Sequence, residues 1–285
     1  MVPDIDIVGQ SFHNEVDQSI RNKLNTIQIS LRSFGKAAVA LSGGVDSTLL
    51  LKLAVETLGS NNVLAITACT PIPGLNQEAD DAAKVAEGLG VKHLLFCAGE
   101  YADEGFLQNT RERCYLCKKL IFGGIVRLAA ENGIAVVIEG TNVDDQGDFR
   151  PGMKALAELG IQSPLRKAGL GKSEIRKLAE IYGLEAWDKP SNACLATRFP
   201  YGTRISMENV VRVGKAEQIL QGNGFRQVRV RFHGNIARIE LEPSEMPGIF
   251  QGDIADTVYT QFRALGFDYT AIDLKGYRTG SLNER

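Results

Sequence analysis

One short run near the start of this 285-residue chain constrains its fold more than any other feature. Lys36-Ala37-Ala38-Val39-Ala40-Leu41 leads into Ser42-Gly43-Gly44-Val45-Asp46-Ser47, after which Leu49, Leu50, Leu53 and Leu58 recur at helical spacing. An apolar run bounded by Gly35 and Ser42 reads as a strand buried on both faces of a parallel sheet. Two consecutive glycines permit backbone angles and close approaches that side chains forbid. The helix that follows turns its unpaired N–H groups back toward the loop, and anions settle at such a place. Ser42 and Ser47 add hydroxyl donors. Asp46, an acid inside an anion site, makes chemical sense with Mg²⁺ between its carboxylate and a phosphate.

The kinase-type phosphate loop ends in Gly-Lys-Ser/Thr, and that ending is missing here. The segment instead resembles the Ser-Gly-Gly-x-Asp-Ser loop of the ATP pyrophosphatases, which cleave ATP between the α and β phosphates and adenylate their substrates. ATP and Mg²⁺ are therefore expected at Ser42, Gly43, Gly44, Asp46 and Ser47. An ordinary glycine-rich turn closing a βα unit is the plainer alternative.

Around the loop, strand and helix patterns alternate. An amphipathic helix over 12–34 precedes the loop strand; strands follow at 62–69, 91–96 and 134–138, with helices at 76–89 and 118–132. Strands separated by helices imply an α/β, doubly wound parallel sheet, whose ligands sit at the carboxyl ends of its strands. The loop lies at one such end and Glu139-Gly140-Thr141-Asn142-Val143-Asp144-Asp145 at another. Past Pro190 the pattern becomes Ile205 as a strand, a helix at 208–220, strands at 227–232 and 236–241, a helix at 246–265 and a strand at 269–274. That βαββαβ order is the one used by ferredoxin-like α+β units. The expected domains are 1–190 and 191–285.

Composition adds limits. With 44% hydrophobic and 23% charged residues the chain reads as a soluble globular protein. No window approaches the roughly 18 apolar residues of a membrane span. Asp4 and Asp6 stand where a signal peptide would carry basic residues, so a cytoplasmic location is expected, without membrane partners. A net charge of −2 speaks against a general nucleic-acid binder.

The five cysteines divide into two groups. Cys69 and Cys97 close apolar strands and read as small buried hydrophobes. Cys114-Tyr115-Leu116-Cys117 is flanked by Arg111, Arg113, Lys118 and Lys119, positive charge that favours thiolate. Two cysteines at i and i+3 can share one metal or cluster, or act as a redox pair. Cys194 sits at the expected domain junction near Arg198 and Arg204. The histidines His13, His93 and His233 show no ligand spacing and read as structural.

Taken together, these segments resemble the LarE family of ATP-dependent sulfur transferases. The resemblance rests on Ser-Gly-Gly-Val-Asp-Ser, Arg113-Cys114-Tyr115-Leu116-Cys117-Lys118 and Gly140-Thr141-Asn142-x-Asp144-Asp145. It also includes Ser163-Pro164-Leu165, Leu170-x-Lys172-x-Glu174-Ile175-Arg176 and Ala193-Cys194-Leu195-Ala196-x-Arg198-Phe199-Pro200-Tyr201-Gly202, so it covers nearly the whole chain. It implies conversion of pyridinium-3,5-biscarboxylic acid mononucleotide to its bisthiocarboxylic form, a step toward the nickel-pincer nucleotide of lactate racemase. Each carboxylate is adenylated, pyrophosphate leaves, and sulfur displaces AMP. It also suggests a homo-oligomer.

That chemistry needs a sulfur nucleophile beside the ATP site, and Cys194 is the natural candidate. In family members with a single cysteine here, the residue is a sacrificial donor and ends as dehydroalanine. This chain departs from that pattern. Cys114, Cys117 and Cys194 together can hold three irons of a [4Fe–4S] cluster and leave the fourth open to carry a further sulfide supplied by a sulfide or sulfur donor. Sacrificial or persulfide chemistry at Cys194, zinc, and a disulfide remain open. The substrate carries a phosphate and two carboxylates, for which Arg198, Arg204, Arg229, Arg231 and Arg278 are candidates. Arg229 and Arg231 alternate on a strand and so share a face; the resemblance supports these two and Arg278, against solvated surface arginines. Lys118 is read as a contact to phosphate or adenylate, and Lys172 as a contact to pyrophosphate. Gly140 and Thr141 complete the nucleotide site, and Glu139 and Asp144 hold Mg²⁺ or ribose. Two rivals stand: a cluster-dependent tRNA thiolase and a non-catalytic nucleotide-binding protein.

Overall fold

The computed structural model describes residues 16–70, 72, 75–146, 151–190 and 194–278. Residues 12–15 of the expected first helix, His13, and residues 191–193 lie outside them. The chain divides into two compact units, one formed by 1–98 and 114–189 and the other by 99–113 and 190–285.

In the first unit, α1 (Gln18–Phe34), β1 (Ala37–Ala40), α2 (Val45–Leu58), β2 (Val63–Cys69), α3 (Gln77–Gly88), β3 (Lys92–Cys97), α4 (Arg113–Glu131), β4 (Val137–Ile138), α5 (Pro151–Glu158) and α6 (Lys172–Ile181) follow in order. The four strands form a parallel sheet in the order β3-β2-β1-β4. Strand alternation sorts the apolar residues onto two faces. Ala37, Val39, Val63 and Ala65 join Ile20, Leu24, Ile27 and Leu31 of α1, Leu49 and Leu53 of α2, and Ile175 and Leu178 of α6 in one core. Ala38, Leu64 and Ile66 join Phe122, Ile125 and Ala129 of α4 and Leu156 of α5 in the other. Helices thus cover both faces. The first strand and α2 meet at the loop because Gly43 takes φ 74°, and a Cβ there would stand 2.7 Å from the Glu78 carbonyl oxygen of α3.

The second unit holds α7 (Met207–Gly222), β5 (Val228–His233), β6 (Ile236–Leu241), α8 (Ile254–Ala264) and β7 (Tyr269–Ile272). Its sheet runs β5-β6-β7, with the first pair antiparallel and the second parallel. The α+β character is as expected, but the strand at Ile205 is absent among the described residues. Ile205 instead donates its N–H to the Leu107 carbonyl at 2.8 Å, and β7 pairs directly with β6. The helix expected over 246–265 is split: a 3-10 turn at Met246–Phe250 precedes α8, with Gly252 at φ 56° between them.

Segment 99–113, read from sequence as part of the first domain, belongs to the second unit, and Asn109 shows why. Fully buried and at φ 54°, a conformation asparagine tolerates better than most residues, it donates to the Pro200 and Thr203 carbonyls, each at 2.8 Å. Its own carbonyl accepts from Gly202 N at 3.0 Å.

Candidate active site

The nucleotide loop is organised by its own hydroxyls. Ser47, in the first turn of α2, accepts from the Ser42 N–H at 3.2 Å and donates to the Gly44 carbonyl at 3.2 Å. The two seryl oxygens are 3.1 Å apart, and Gly44 N donates to Ser42 Oγ at 3.4 Å. Gly44 caps α2 without a side chain, so the helix terminus keeps the N–H groups that make an anion site.

The 139–145 segment is packed onto that terminus. A Cβ on Gly140 would lie 2.9 Å from the Ser47 nitrogen; only glycine lets the two backbones approach. Asn142, buried and not singled out from sequence as a site residue, donates from Nδ2 to Asp46 Oδ1 at 3.1 Å. Lys172 Nζ bonds the other carboxylate oxygen of Asp46, while the Lys172 N–H donates to Asp144 Oδ2 at 2.5 Å. Asp144 is in turn held by its N–H on Asn142 Oδ1 at 2.9 Å. Lys172 opens α6, and Glu174 braces that start by accepting from Gly171 N at 2.9 Å and pairing with Lys23 at 2.7 Å. Asp46, Asn142, Asp144 and Lys172, far apart in sequence, therefore form one charged group at the mouth of the phosphate loop. Asp46 and Asp144 offer the hard oxygen donors that Mg²⁺ takes.

Glu139 does something else. Buried, it accepts from Thr141 N at 3.0 Å and Thr141 Oγ1 at 2.6 Å, and from Ser163 Oγ. Both oxygens accept bonds from nearby residues, and Thr141 has a part in shaping the segment. Among the described residues, no three His, Cys, Asp or Glu side chains stand together as a metal-binding group. Lys118 of α4 lies along Gly152 of α5 and places its ammonium 5.5 Å from the centroid of Phe122.

All five cysteines are thiols. Cys114 and Cys117 stand one turn apart at the start of α4, both half-buried. Soft donors at that spacing fit an iron–sulfur cluster or another thiophilic metal. In the second unit Cys194 is exposed. Its carbonyl accepts from Thr197 N at 2.9 Å and Thr197 Oγ1 at 2.7 Å, so the turn that carries the thiol is fixed.

The arginines of the second unit separate by environment. Arg198, expected on a loop as a substrate contact, is 1% exposed and grips Glu217 of α7 through Nε at 2.7 Å and Nη2 at 2.9 Å. Arg204, also expected to meet substrate, is exposed and pairs with Glu104. The first is a buried ion pair and the second a surface ion pair. Arg229 and Arg231 do share a face of β5, with Glu240 and Arg238 opposite them on β6. Arg231 bonds Glu240 at 2.8 Å and the Thr197 carbonyl at 3.0 Å. Arg229, buried, rests 5.2 Å from the Tyr277 ring centroid. Burial, and then the charge of Arg198, pull its pKa down to about 10. Arg278 bonds Asp273 at 3.3 Å and the Gly276 carbonyl at 3.0 Å.

Comparison with known proteins agrees with this layout. The NAD synthase family model matches residues 13–113, which include the loop. An uncharacterised protein of Synechocystis sp. is 40% identical over 264 residues, 93% of this chain and 98% of its own length. The tRNA-specific 2-thiouridylase of Rickettsia felis is 28% identical over 66% of this chain and 61% of its own length. The pyridinium-3,5-bisthiocarboxylic acid mononucleotide synthase of Lactiplantibacillus plantarum is 38% identical over 269 residues, covering 93% of this chain and 95% of that enzyme. The chain belongs to the family of that synthase, the LarE family.

Proposed function

We propose that the chain is an ATP-dependent sulfur transferase that converts pyridinium-3,5-biscarboxylic acid mononucleotide to the bisthiocarboxylic acid mononucleotide. The observation that carries this reading is the Lys172–Asp46–Asn142 group on the open terminus of α2, in a chain 38% identical to an enzyme named for that product. A substrate carboxylate oxygen attacks the α-phosphorus of ATP, the Pα–O bond to the β-phosphate breaks, and pyrophosphate departs with the electron pair. Developing charge on the leaving phosphates meets the α2 N–H groups and the Lys172 ammonium, preorganised donors of the kind that stabilise transition states. Asp46 and Asp144 would hold Mg²⁺, which would supply positive charge to neutralise the phosphates. A sulfur nucleophile then attacks the acyl carbon and AMP leaves.

For the sulfur, the reading assigns Cys114, Cys117 and Cys194 to a [4Fe–4S] cluster, which would supply an open iron for a labile sulfide. For the substrate it assigns Arg229, Arg231 and Arg278 to the anionic groups, and Lys118 to phosphate or adenylate. Arg229 and Arg231 share a face of β5, and the charges of Arg198 and Arg231 act on Arg229. This gathering of guanidiniums supports an anionic group of the substrate as their ligand.

The test is pyrophosphate and AMP release from ATP and Mg²⁺, with and without the biscarboxylic mononucleotide, on protein purified without oxygen. Iron and acid-labile sulfide are measured beside a Cys114→Ala variant. Carboxylate-dependent pyrophosphate release with oxygen-for-sulfur exchange in the product is expected, and ATP binding without release would overturn it. About four irons per chain, lost in the variant, are expected for the cluster; iron-free protein whose Cys194 becomes dehydroalanine would replace it with sacrificial donation.

A further inference from the structure

Two thiols at the carboxyl ends of β2 and β3 have no part in the reaction above. Cys69 and Cys97 close their strands and are direct register partners. Neighbouring strands lie about 4.8 Å apart, a Cα separation inside the span of a disulfide. Their Sγ atoms are 3.3 Å apart. Cys69 is half-buried, with its thiol on the Phe96 carbonyl at 3.3 Å, whereas Cys97 is exposed. This corrects the reading of both as buried hydrophobes: β3 is the edge strand, so its end meets solvent.

The backbone around the pair is already fixed. Six consecutive register pairs join β2 to β3, and the Phe96 ring packs where Gly124 of α4 has no side chain. Closing the sulfur gap therefore needs side-chain rotation rather than chain movement. The pair also stands at the loop end of the sheet. Two residues before Cys69, Thr67 Oγ1 donates to the Leu41 carbonyl at 2.7 Å, and after Cys69 the chain runs to α3, whose Glu78 carbonyl abuts Gly43.

We propose that Cys69 and Cys97 are a reversible dithiol–disulfide pair, oxidised by small-molecule disulfides of the glutathione class, that fastens the two strand ends beside the phosphate loop. The accessible Cys97 thiolate attacks one sulfur of the oxidant and displaces one thiolate, leaving a mixed disulfide. The Cys69 thiolate then attacks the Cys97 sulfur and displaces the second. One disulfide is broken and one formed. Two electrons pass to the oxidant, and the two protein thiol protons end on the two released small thiols.

The experiment treats the reduced full-length chain with oxidised glutathione over a range of glutathione redox ratios, blocks residual thiols, digests with trypsin and reads the peptides by mass spectrometry. Tryptic peptides 53–84 and 93–111 each carry one of the two cysteines and neither carries Cys114, Cys117 or Cys194. The expected result is a cross-linked 53–84/93–111 species that dithiothreitol removes. In Cys69→Ser the cross-link is absent and a glutathione adduct persists on Cys97, because the resolving thiol is gone. No cross-link at any ratio, or an adduct on Cys97 that persists equally in the native protein and in Cys69→Ser, would overturn the proposal. The native protein alone decides the first point should the variant fold poorly.

Discussion

An ammonium and a carboxylate that bond each other at the mouth of a phosphate loop are both released for other work when a nucleotide brings its own charges. Lys172 then faces the departing pyrophosphate and Asp46 the cation. Lys172→Ala should lower the rate of pyrophosphate release at saturating ATP by about 10²–10³-fold, the effect of removing one preorganised donor, with a smaller change in KM for ATP. A loss confined to KM would make Lys172 a binding residue only. Gly140→Ala tests the packing beneath: its methyl would meet the Ser47 nitrogen at 2.9 Å, so ATP-induced stabilisation in a thermal melt should shrink or vanish. At this scale the loop residues were legible because they are contiguous and each has a local chemical reason to be there. The role of Asn142 was not, although it lies in the Gly140-Thr141-Asn142 motif, since its bond to Asp46 spans 96 positions. The bonds of Glu139 to Ser163 and of Arg198 to Glu217 were not legible for the same cause: the partners are not neighbours in a local pattern.

Strands and segments carry a different kind of dependence. Thr67 has one hydroxyl proton and gives it to Leu41, so the 2.8 Å bond to His93 must run from the His93 Nε2–H to Thr67 Oγ1. A chain of two bonds thus links β3 through β2 to the residue before Ser42. Burial lowers the His93 pKa from its ordinary value near 6.5. The unfolded chain consequently takes up the proton first, and the stability this histidine contributes is complete above about pH 6.5 and is lost as pH falls through that value toward its folded pKa. The native protein should lose more melting temperature between about pH 7.5 and 5.5 than His93→Gln, and equal losses would remove His93 from the account. Asn109→Ala removes the bonds to Pro200, Thr203 and Arg113 and leaves a residue poorly suited to φ 54°. A destabilisation of about 2–4 kcal/mol in urea unfolding is expected. Most helices and strands of the first unit were readable from their periodicity, within about five residues, whereas α5 was not expected. The path of 99–113 into the second unit was not, because it depends on one buried asparagine whose carbonyl partners lie 91 and 94 positions away. The strand expected at Ile205 failed similarly, since Ile205 is buried but bonds to Leu107, the last residue of a short helix.

For the molecule as a whole, charge is arranged locally rather than in bulk. The chain carries −2 overall, and no helix among its described residues is long and apolar enough to cross a membrane. Several guanidiniums are gathered on the β5–β6 face and near it, where Arg229 is buried and feels the charges of Arg198 and Arg231 as well as that of Glu217. A cluster confined to a few side chains suits a small ligand with a phosphate and carboxylates, whereas a polyanion needs a broad basic surface. Kinship with a tRNA thiolase makes the difference worth measuring, because both reactions need adenylation and sulfur. Binding of the biscarboxylic mononucleotide should weaken by less than about tenfold between 50 and 200 mM salt, since few counterions are released; a protein making many phosphate contacts on a nucleic acid loses roughly 10³–10⁵-fold over that range. Arg229→Ala should abolish the mononucleotide-induced rise in melting temperature while keeping the rise caused by ATP and Mg²⁺, which bind the other unit. Tight tRNA binding with a steep salt slope, unaffected by Arg229→Ala, would instead move the substrate from a small nucleotide to RNA and leave the arginine cluster as internal scaffolding.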